Sequence, residues 1–470
     1  MLKKIISHSL IYGLGPFVPK IISLLMLPIF TKVLTTEDYG VQALMNSSTS
    51  LIGVLAMLGL QLPITNAFYH HTHHYKKRWS QFYGFLNIWM IFYSALLAVV
   101  IYFIVPIEAK ENLYALILLN VIPIVCFGPA DTFGQLYYQL NQKPKEVVMR
   151  TIVISFITIA LNYYTIVILD LHYMGWFIAN CISALLLHFS YWYPLNYILK
   201  IKPIYRFKRK VIFKGLSVSM PMIPHFYSGY LLGSADSLLL KFFLISTAQI
   251  GFYGFAASFG ALMALAVGAI NTAAAPIIMQ QIKLKNYEEV KKITWMIQFF
   301  LLVGSSVGCF WLKEVFGIMV NNQELRSGYF LAAIFIMAHN YRPMYFGSSM
   351  ILFYREKTKN LWKVTLGAGL FCLIMNSFLI PIYGIKIPAL ILFVSYLIMG
   401  YGTFFLKDYK DVAIANFKPW LWFFLTLFCF ISVLIVVNFT VLYKTVITVL
   451  FLSSLVIYYF TLIKTKNKLI

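Results

Sequence analysis

The chain has 470 residues and a formal net charge of +23, and 61% of its residues are hydrophobic while only 11% are charged. Soluble chains carry about 25% charged residues, and here apolar runs of spanning length recur from end to end, which excludes a soluble multidomain protein. A nucleic-acid binder is excluded too, because the basic residues find their explanation in a membrane.

The chain begins MLKKIISHSLIYGLGPFVPK, a basic start followed by an apolar run. A cleaved signal would soon show a small-residue site; this run instead continues to Leu34 and reads as a retained first helix. Fourteen spans are expected, at 9–34, 41–67, 82–105, 113–140, 147–168, 174–199, 213–244, 251–280, 291–312, 327–352, 361–382, 387–406, 419–438 and 442–463. The five cysteines, Cys126, Cys181, Cys309, Cys372 and Cys429, all fall inside apolar runs with no CxxC spacing, and read as small hydrophobes.

Lys and Arg fix the expected orientation. With the N-terminus inside, the inner segments hold 29 of the 38 basic residues. The outer loops hold Lys110, Lys313, Arg326, Lys386 and Lys444, and the spans hold Lys20, Lys32, Lys241 and Arg342. This is the positive-inside bias, with both termini cytoplasmic. Trp79, Trp295, Trp362, Trp420 and Trp422 fall near inner ends and Trp176 and Trp311 near outer ends, where amphipathic rings prefer to sit. The basic stretch IKPIYRFKRKVIFK (201–214) reads as a cytoplasmic linker beside anionic lipid heads.

A short polar turn is written twice. LTTEDYG (34–40) follows span 1 and ISTAQIG (245–251) follows span 7. FGQLYYQLNQKPK (133–145) and FGSSMILFYREKT (346–358) repeat at nearly the same offset. Spans 1–6 and 7–12 therefore read as two parallel six-helix repeats, an arrangement that builds transporters with a site between the halves. The expected organisation is a six-helix half at 1–205, a second at 206–410, and two added helices at 411–470.

The stretches LLMLPIFTKVLTTEDYGVQALMN (24–46) and SADSLLLKFFLISTAQIGFYGFAAS (234–258) resemble the first- and seventh-helix signatures of the oligosaccharide flippases of polysaccharide biosynthesis (the O-antigen, Wzx-type family). These belong to the multidrug/oligosaccharidyl-lipid/polysaccharide (MOP) exporter superfamily. Relatives often carry Arg after the Asp of span 7; here Asp236 is followed by Ser237. The resemblance implies an all-α integral membrane protein, two six-helix bundles in a V around a central cavity. It also implies translocation of an undecaprenyl-pyrophosphate-linked oligosaccharide (an O-antigen or capsule repeat unit) from the inner to the outer leaflet of the bacterial plasma membrane. Alternating access, an H+ or Na+ gradient, and association with a polysaccharide polymerase and a chain-length regulator are part of that expectation.

The charges inside spans are the candidate site. Lys20 lies mid-span among Pro16, Pro19 and Pro28; Arg342 lies mid-span before Pro343; Asp131 follows Gly128-Pro129; Asp236 lies downstream of Pro221 and Pro224. Charge in hydrocarbon is costly and belongs against water or a partner. Arg342 and Lys20 are expected to bind a pyrophosphate, Arg342 with a bidentate grip. Asp131 and Asp236 would bind sugar hydroxyls, coupling cations or those basic residues. Internal ion pairs, such as Lys20 with Asp131, are the alternative. Lys241, within a turn of its outer end, either joins the substrate set or snorkels. His225 and His339 are candidates for proton coupling along with Asp236, or pack by hydrogen bonding. HHTHH (70–74) is a metal candidate without an acidic second shell and reads better as a solvated loop. Phe68, Tyr69, Tyr227 and Tyr253 are candidates for stacking on sugar. No nucleotide loop, cofactor motif or enzymatic cluster stands out. The rival readings are a cation-coupled multidrug exporter and a membrane polymerase or acyltransferase.

Overall fold

The computed structural model describes residues 17–70, 74–357, 360–412 and 416–467, with side chains from Pro19 to Leu455. These residues are helical throughout and contain no strand. In lipid each helix satisfies its own backbone, so a helical fold follows directly from the composition. Eight helices among the described residues are long and apolar enough to cross a membrane, with a shorter apolar one at Val441–Leu455. The protein is a multi-pass membrane protein. The eight do not match fourteen expected spans one for one: several expected spans are broken, and Leu361–Phe405, counted once, covers the expected spans at 361–382 and 387–406.

The breaks fall at Pro and Gly. Span 1 is split into α1 (Phe17–Leu25) and α2 (Leu27–Val33), with Pro28 in the first turn of α2. Pro lacks the N–H that would continue the ladder, so a helix restarts there at little loss. Span 2 becomes α3 (Thr36–Gly53) and α4 (Gln61–His70), joined by a turn in which Gly59 has φ +69°. Helix α5 (Tyr75–Ile104) runs unbroken. Span 4 divides into α6 (Leu113–Phe127) and α7 (Ala130–Leu140) at Gly128-Pro129, where Gly128 has φ +54°. Then come α8 (Pro144–Asn162) and α9 (His172–Tyr193), each ending in a widened π turn. Span 7 is in three pieces, α10 (Arg209–Ser219), α11 (Ile223–Gly233) and α12 (Ala235–Phe242), and α13 (Thr247–Lys283) follows.

The chain separates into two compact units, Met1–Gly254 and Phe255–Ile470. In the first, α9 packs along α6, α7 and α8, α5 packs on α6 and α3, and the pieces of span 7 join the same unit, α10 against α4 and α5 and α12 against α3. In the second, α14 (Tyr287–Phe310) is the most buried of the eight spanning helices. It packs on α18 (Arg342–Tyr354), α22 (Pro419–Val436) and α23 (Val441–Asn467). Helices α19 (Leu361–Tyr383) and α20 (Ile387–Gly402) form a hairpin through Gly384, and α20 also packs on α17 (Tyr329–Ala338). Between α14 and α17 lie α15 (Leu312–Met319) and the one-turn α16 (Gln323–Arg326); one-turn α21 (Lys407–Lys410) follows α20.

The twice-written turn is a helix start. Thr35 caps α3: its Oγ1 accepts from the N–H of Asp38 at 3.2 Å, and the Asp38 carboxylate accepts from the N–H of Thr35 at 2.8 Å. That reciprocal pair is a capping box. At the start of α13, Ser246 Oγ accepts from the N–H of Gln249 at 3.4 Å, the same three-residue reach. The repeated glycines meet. A β-carbon at Gly251 would strike the Thr36 carbonyl oxygen and lie 2.5 Å from the Gly40 nitrogen, and one at Gly40 would lie 2.7 Å from Thr247 Cγ2. Glycine at both positions lets the two helix starts touch backbone to backbone.

Two expectations about amphipathic residues are corrected. Trp79 does not face the interface: it is fully buried, and its indole N–H donates to the Ile64 carbonyl at 2.9 Å. Lys444 is not a loop cation in water: it is fully buried and donates to both carboxylate oxygens of Glu314, at 2.7 and 2.8 Å.

Candidate functional site

In the second unit, a short 3-10 turn, His339–Tyr341, interrupts the path between α17 and α18, and Pro343 sits in the first turn of α18. The sequence HNYRP forces this: Pro343 cannot donate to the turn before it, so the helix tightens and restarts. Arg342 stands at that restart, half-buried. Its Nη2 donates to the Tyr396 hydroxyl at 3.1 Å, and its guanidinium carbon lies 5.1 Å from the centre of the same ring. A guanidinium has five N–H donors; among the described residues, Tyr396 takes the one side-chain hydrogen bond seen for it. His339 is buried, with its ring 5.1 Å from that of Tyr396. The neighbouring Asn340 is fully buried and exchanges hydrogen bonds with Ser305, at 2.8 and 3.1 Å, while its carbonyl accepts from Gln298 Nε2 at 2.6 Å. This polar knot holds the break in place, so Arg342 is carried on a fixed support.

In the first unit, the second break in span 7 falls between Gly233 and Ala235. The Ser234 carbonyl freed there accepts from the Ser47 hydroxyl on α3. Asp236, in the first turn of α12, is buried and accepts a short hydrogen bond from the Tyr253 hydroxyl. A carboxylate in the first turn also faces the positive end of its helix. Asp131 lies likewise in the first turn of α7, half-buried, with Thr132 Oγ1 3.3 Å from one of its oxygens. Lys20 is exposed on α1, and none of the ion pairs among the described residues includes it or Asp131. The expected Lys20–Asp131 pair is therefore not seen among them.

Lys241 donates to the carbonyl of Ile104, the last residue of α5. A cation at a helix C-terminus is a favourable placement. Nearby, Glu108 accepts from Thr247 Oγ1 at 2.9 Å. His225 is half-buried on α11. His71, Thr72 and His73 of HHTHH lie outside the described residues, and no group of three or more metal-ligating side chains occurs among the described ones.

Sequence reasoning missed the partners more than the charges. Tyr396, which holds Arg342, carries no motif. Tyr253 was expected to offer its ring to sugar; it is buried and engaged with Asp236. Asp38 was read only as part of a polar turn. It is buried, accepts from the N–H of Tyr173 at 3.0 Å and lies 3.4 Å from His172 Nδ1, tying the start of α3 to the start of α9.

Comparison with known proteins agrees with this architecture. The chain is 22% identical over 369 residues to Lsg locus putative protein 1 of Haemophilus influenzae, covering 76% of this chain and 86% of that protein. Among solved structures, a lipid II flippase, MurJ, in an inward closed conformation superposes with a TM-score of 0.74 at 16% identity, covering 96% of this chain and 99% of that one. An inward-facing multidrug resistance MATE family transporter of the MOP superfamily gives a TM-score of 0.62 at 12% identity, covering 86% and 94%. The fold is therefore the one these transporters share. The profile of the polysaccharide biosynthesis protein family matches residues 1–282, more than half of the chain, and the chain belongs to that family.

Proposed function

We propose that this protein is a flippase, not an enzyme, and that it moves the head of a polyprenyl-pyrophosphate-linked oligosaccharide across a bacterial plasma membrane by alternating access. The observation that carries the reading is Arg342: a guanidinium at a rigid helix break within an apolar span, held by a tyrosine. An arginine in a membrane needs an anion or water to meet it. A phosphate ester suits its fork-shaped donors, and Tyr396 orients that fork. The family supports a role in polysaccharide biosynthesis, and the fold supports transport of a lipid-anchored cargo. Lys20, Asp131, Asp236 and Lys241 are proposed as further contacts along the path of the cargo, with Asp236, His225 and His339 as candidates for H+ or Na+ coupling. The repeat halves at 1–205 and 206–410, cytoplasmic termini and movement from inner to outer leaflet complete the proposal, as does association with a polymerase and a chain-length regulator.

The test is surface polysaccharide and membrane abundance in cells carrying single variants. Arg342→Ala is expected to abolish export at normal abundance, Arg342→Lys to retain part of it, and Lys20→Ala to have a milder effect, because a point charge attracts without fixing geometry. Normal export with Arg342→Ala at normal abundance would remove the phosphate-binding role. Export of cationic drugs without any polysaccharide phenotype would favour the multidrug reading.

A further inference from the structure

The first unit contains a concave pocket of about 650 Å³ that includes none of the residues discussed above as substrate or coupling candidates. Its walls are α4, the beginning of α5, and α10 with Lys208 just before it. Its charged lining is entirely basic, with Arg78 from the first turn of α5, Lys208 just before α10 and Lys210 and Lys214 on α10; His70 from the end of α4 lies beside them. No Asp or Glu lines it, and none of the ion pairs among the described residues includes Arg78, Lys208, Lys210 or Lys214. Its apolar lining includes Pro63, Phe82 and Val218.

Four contacts fix the walls. The Trp79 indole N–H donates to the Ile64 carbonyl and fastens α4 to α5. The linker is strapped to α5: the N–H of Ile204 donates to the Ser80 carbonyl at 2.8 Å, and the N–H of Lys208 to Gln81 Oε1 at 3.1 Å. Gly215 seats α10 on the Phe82 ring, where a β-carbon would lie 2.7 Å from the ring edge. Four lysine and arginine charges repel one another, and a fold that gathers them around one hollow without an acid gains from a bound anion. A lining that mixes basic and apolar side chains matches an amphipathic ligand, its head on the lysines and arginine and its first carbons on the apolar residues. Four formal charges suit two phosphates better than one.

We propose that this pocket is a second anion site, which binds the diphosphate head of an isoprenoid lipid. The site is separate from Arg342; the choice of an isoprenoid diphosphate rests on the function proposed above, but not on Arg342 contacting cargo. Phosphate heads could also come from ordinary phospholipids, or the pocket could take a soluble diphosphate; the experiment separates these.

The full-length protein is placed in phosphatidylcholine nanodiscs and titrated with radiolabelled farnesyl diphosphate. The R78Q/K214Q double variant is expected to bind at least tenfold more weakly, and K208Q/K210Q, at the exposed start of α10, at least threefold more weakly. Arg342→Gln should leave this binding component in place. Farnesol should not compete, and phosphatidylglycerol and inorganic pyrophosphate should compete only at concentrations at least tenfold higher than unlabelled farnesyl diphosphate. If R78Q/K214Q fails to give a monodisperse protein, K208Q/K210Q decides alone. Unchanged binding in a monodisperse lysine or arginine variant, or equal competition by farnesol, would overturn the site. Equal competition by phosphatidylglycerol or by pyrophosphate would overturn its assignment to an isoprenoid diphosphate. Loss of binding only with Arg342→Gln would overturn this pocket while sparing the transport proposal.

Discussion

Gly40 and Gly251 face each other across two helix starts, close enough that a β-carbon on Gly251 would lie 2.5 Å from the backbone nitrogen of Gly40. The two glycines close the similar stretches LTTEDYG and ISTAQIG, 211 residues apart, so the repeated motif is also a contact of one copy with the other. Because the obstructing atoms are backbone, neither helix can yield by a side-chain rotation. Gly251→Val or Gly40→Val is expected to push the helix starts apart and destabilise the protein by about 1–3 kcal/mol, the usual range for overpacking. Thermal unfolding in detergent checks it; an unchanged midpoint for both variants would show that the helix starts do not touch.

Asp38 carries a second expectation. It closes the capping box with Thr35 and accepts from the N–H of Tyr173. Asp38→Ala removes both, and should cost about 1–2 kcal/mol for the cap alone, with more for the Tyr173 N–H left unpaired. Asp38→Asn keeps an acceptor and should lose less. The readout is the unfolding midpoint of each variant; equal midpoints for Ala and Asn would mean that the hydrogen bonds contribute little.

The pair of Lys444 with Glu314 makes a third. Lys444 is fully buried while Glu314 is about one-third exposed, so water screens one side of the pair. Glu314→Gln is expected to destabilise the second unit by roughly 2–3 kcal/mol, below the range of about 3–5 kcal/mol for a fully buried pair, by leaving the ammonium without its counter-charge. The double variant E314L/K444M should recover most of that loss. Protein abundance and unfolding midpoint measure it, and a double variant no better than E314Q would show that the pair does not act as a unit.

The sequence made the membrane class and the repeated turn legible; the helix breaks and the cap came from the structure, although their causes are local. Pro28, Pro343 and Gly128-Pro129 each stand at a helix break, and Thr35 reaches only three residues to Asp38. What stayed hidden were contacts set by packing. Tyr396 lies 54 residues from Arg342 and nothing in its neighbourhood marks it as the partner. Trp79 looked like an interface anchor because it stands beside Lys and Arg, yet its helix face turns inward. Lys444 followed the same logic: a lysine at the end of an apolar run reads as exposed until Glu314, 130 residues earlier in the chain, is brought beside it. The basic linker at 201–214 was legible as charge, but the pocket it closes depends on α4 and α5.

The most direct test of the central claim is movement of a lipid-linked cargo by the purified protein. Proteoliposomes containing a fluorescent polyprenyl-pyrophosphate oligosaccharide report translocation as a gain in access of its sugar to an external lectin. The wild-type protein is expected to move the cargo, Arg342→Lys to move it more slowly, and Arg342→Ala to fall at least tenfold at equal protein content, about 1.4 kcal/mol or more. Translocation at the wild-type rate by Arg342→Ala, or no translocation by a correctly folded wild-type protein, would contradict the account.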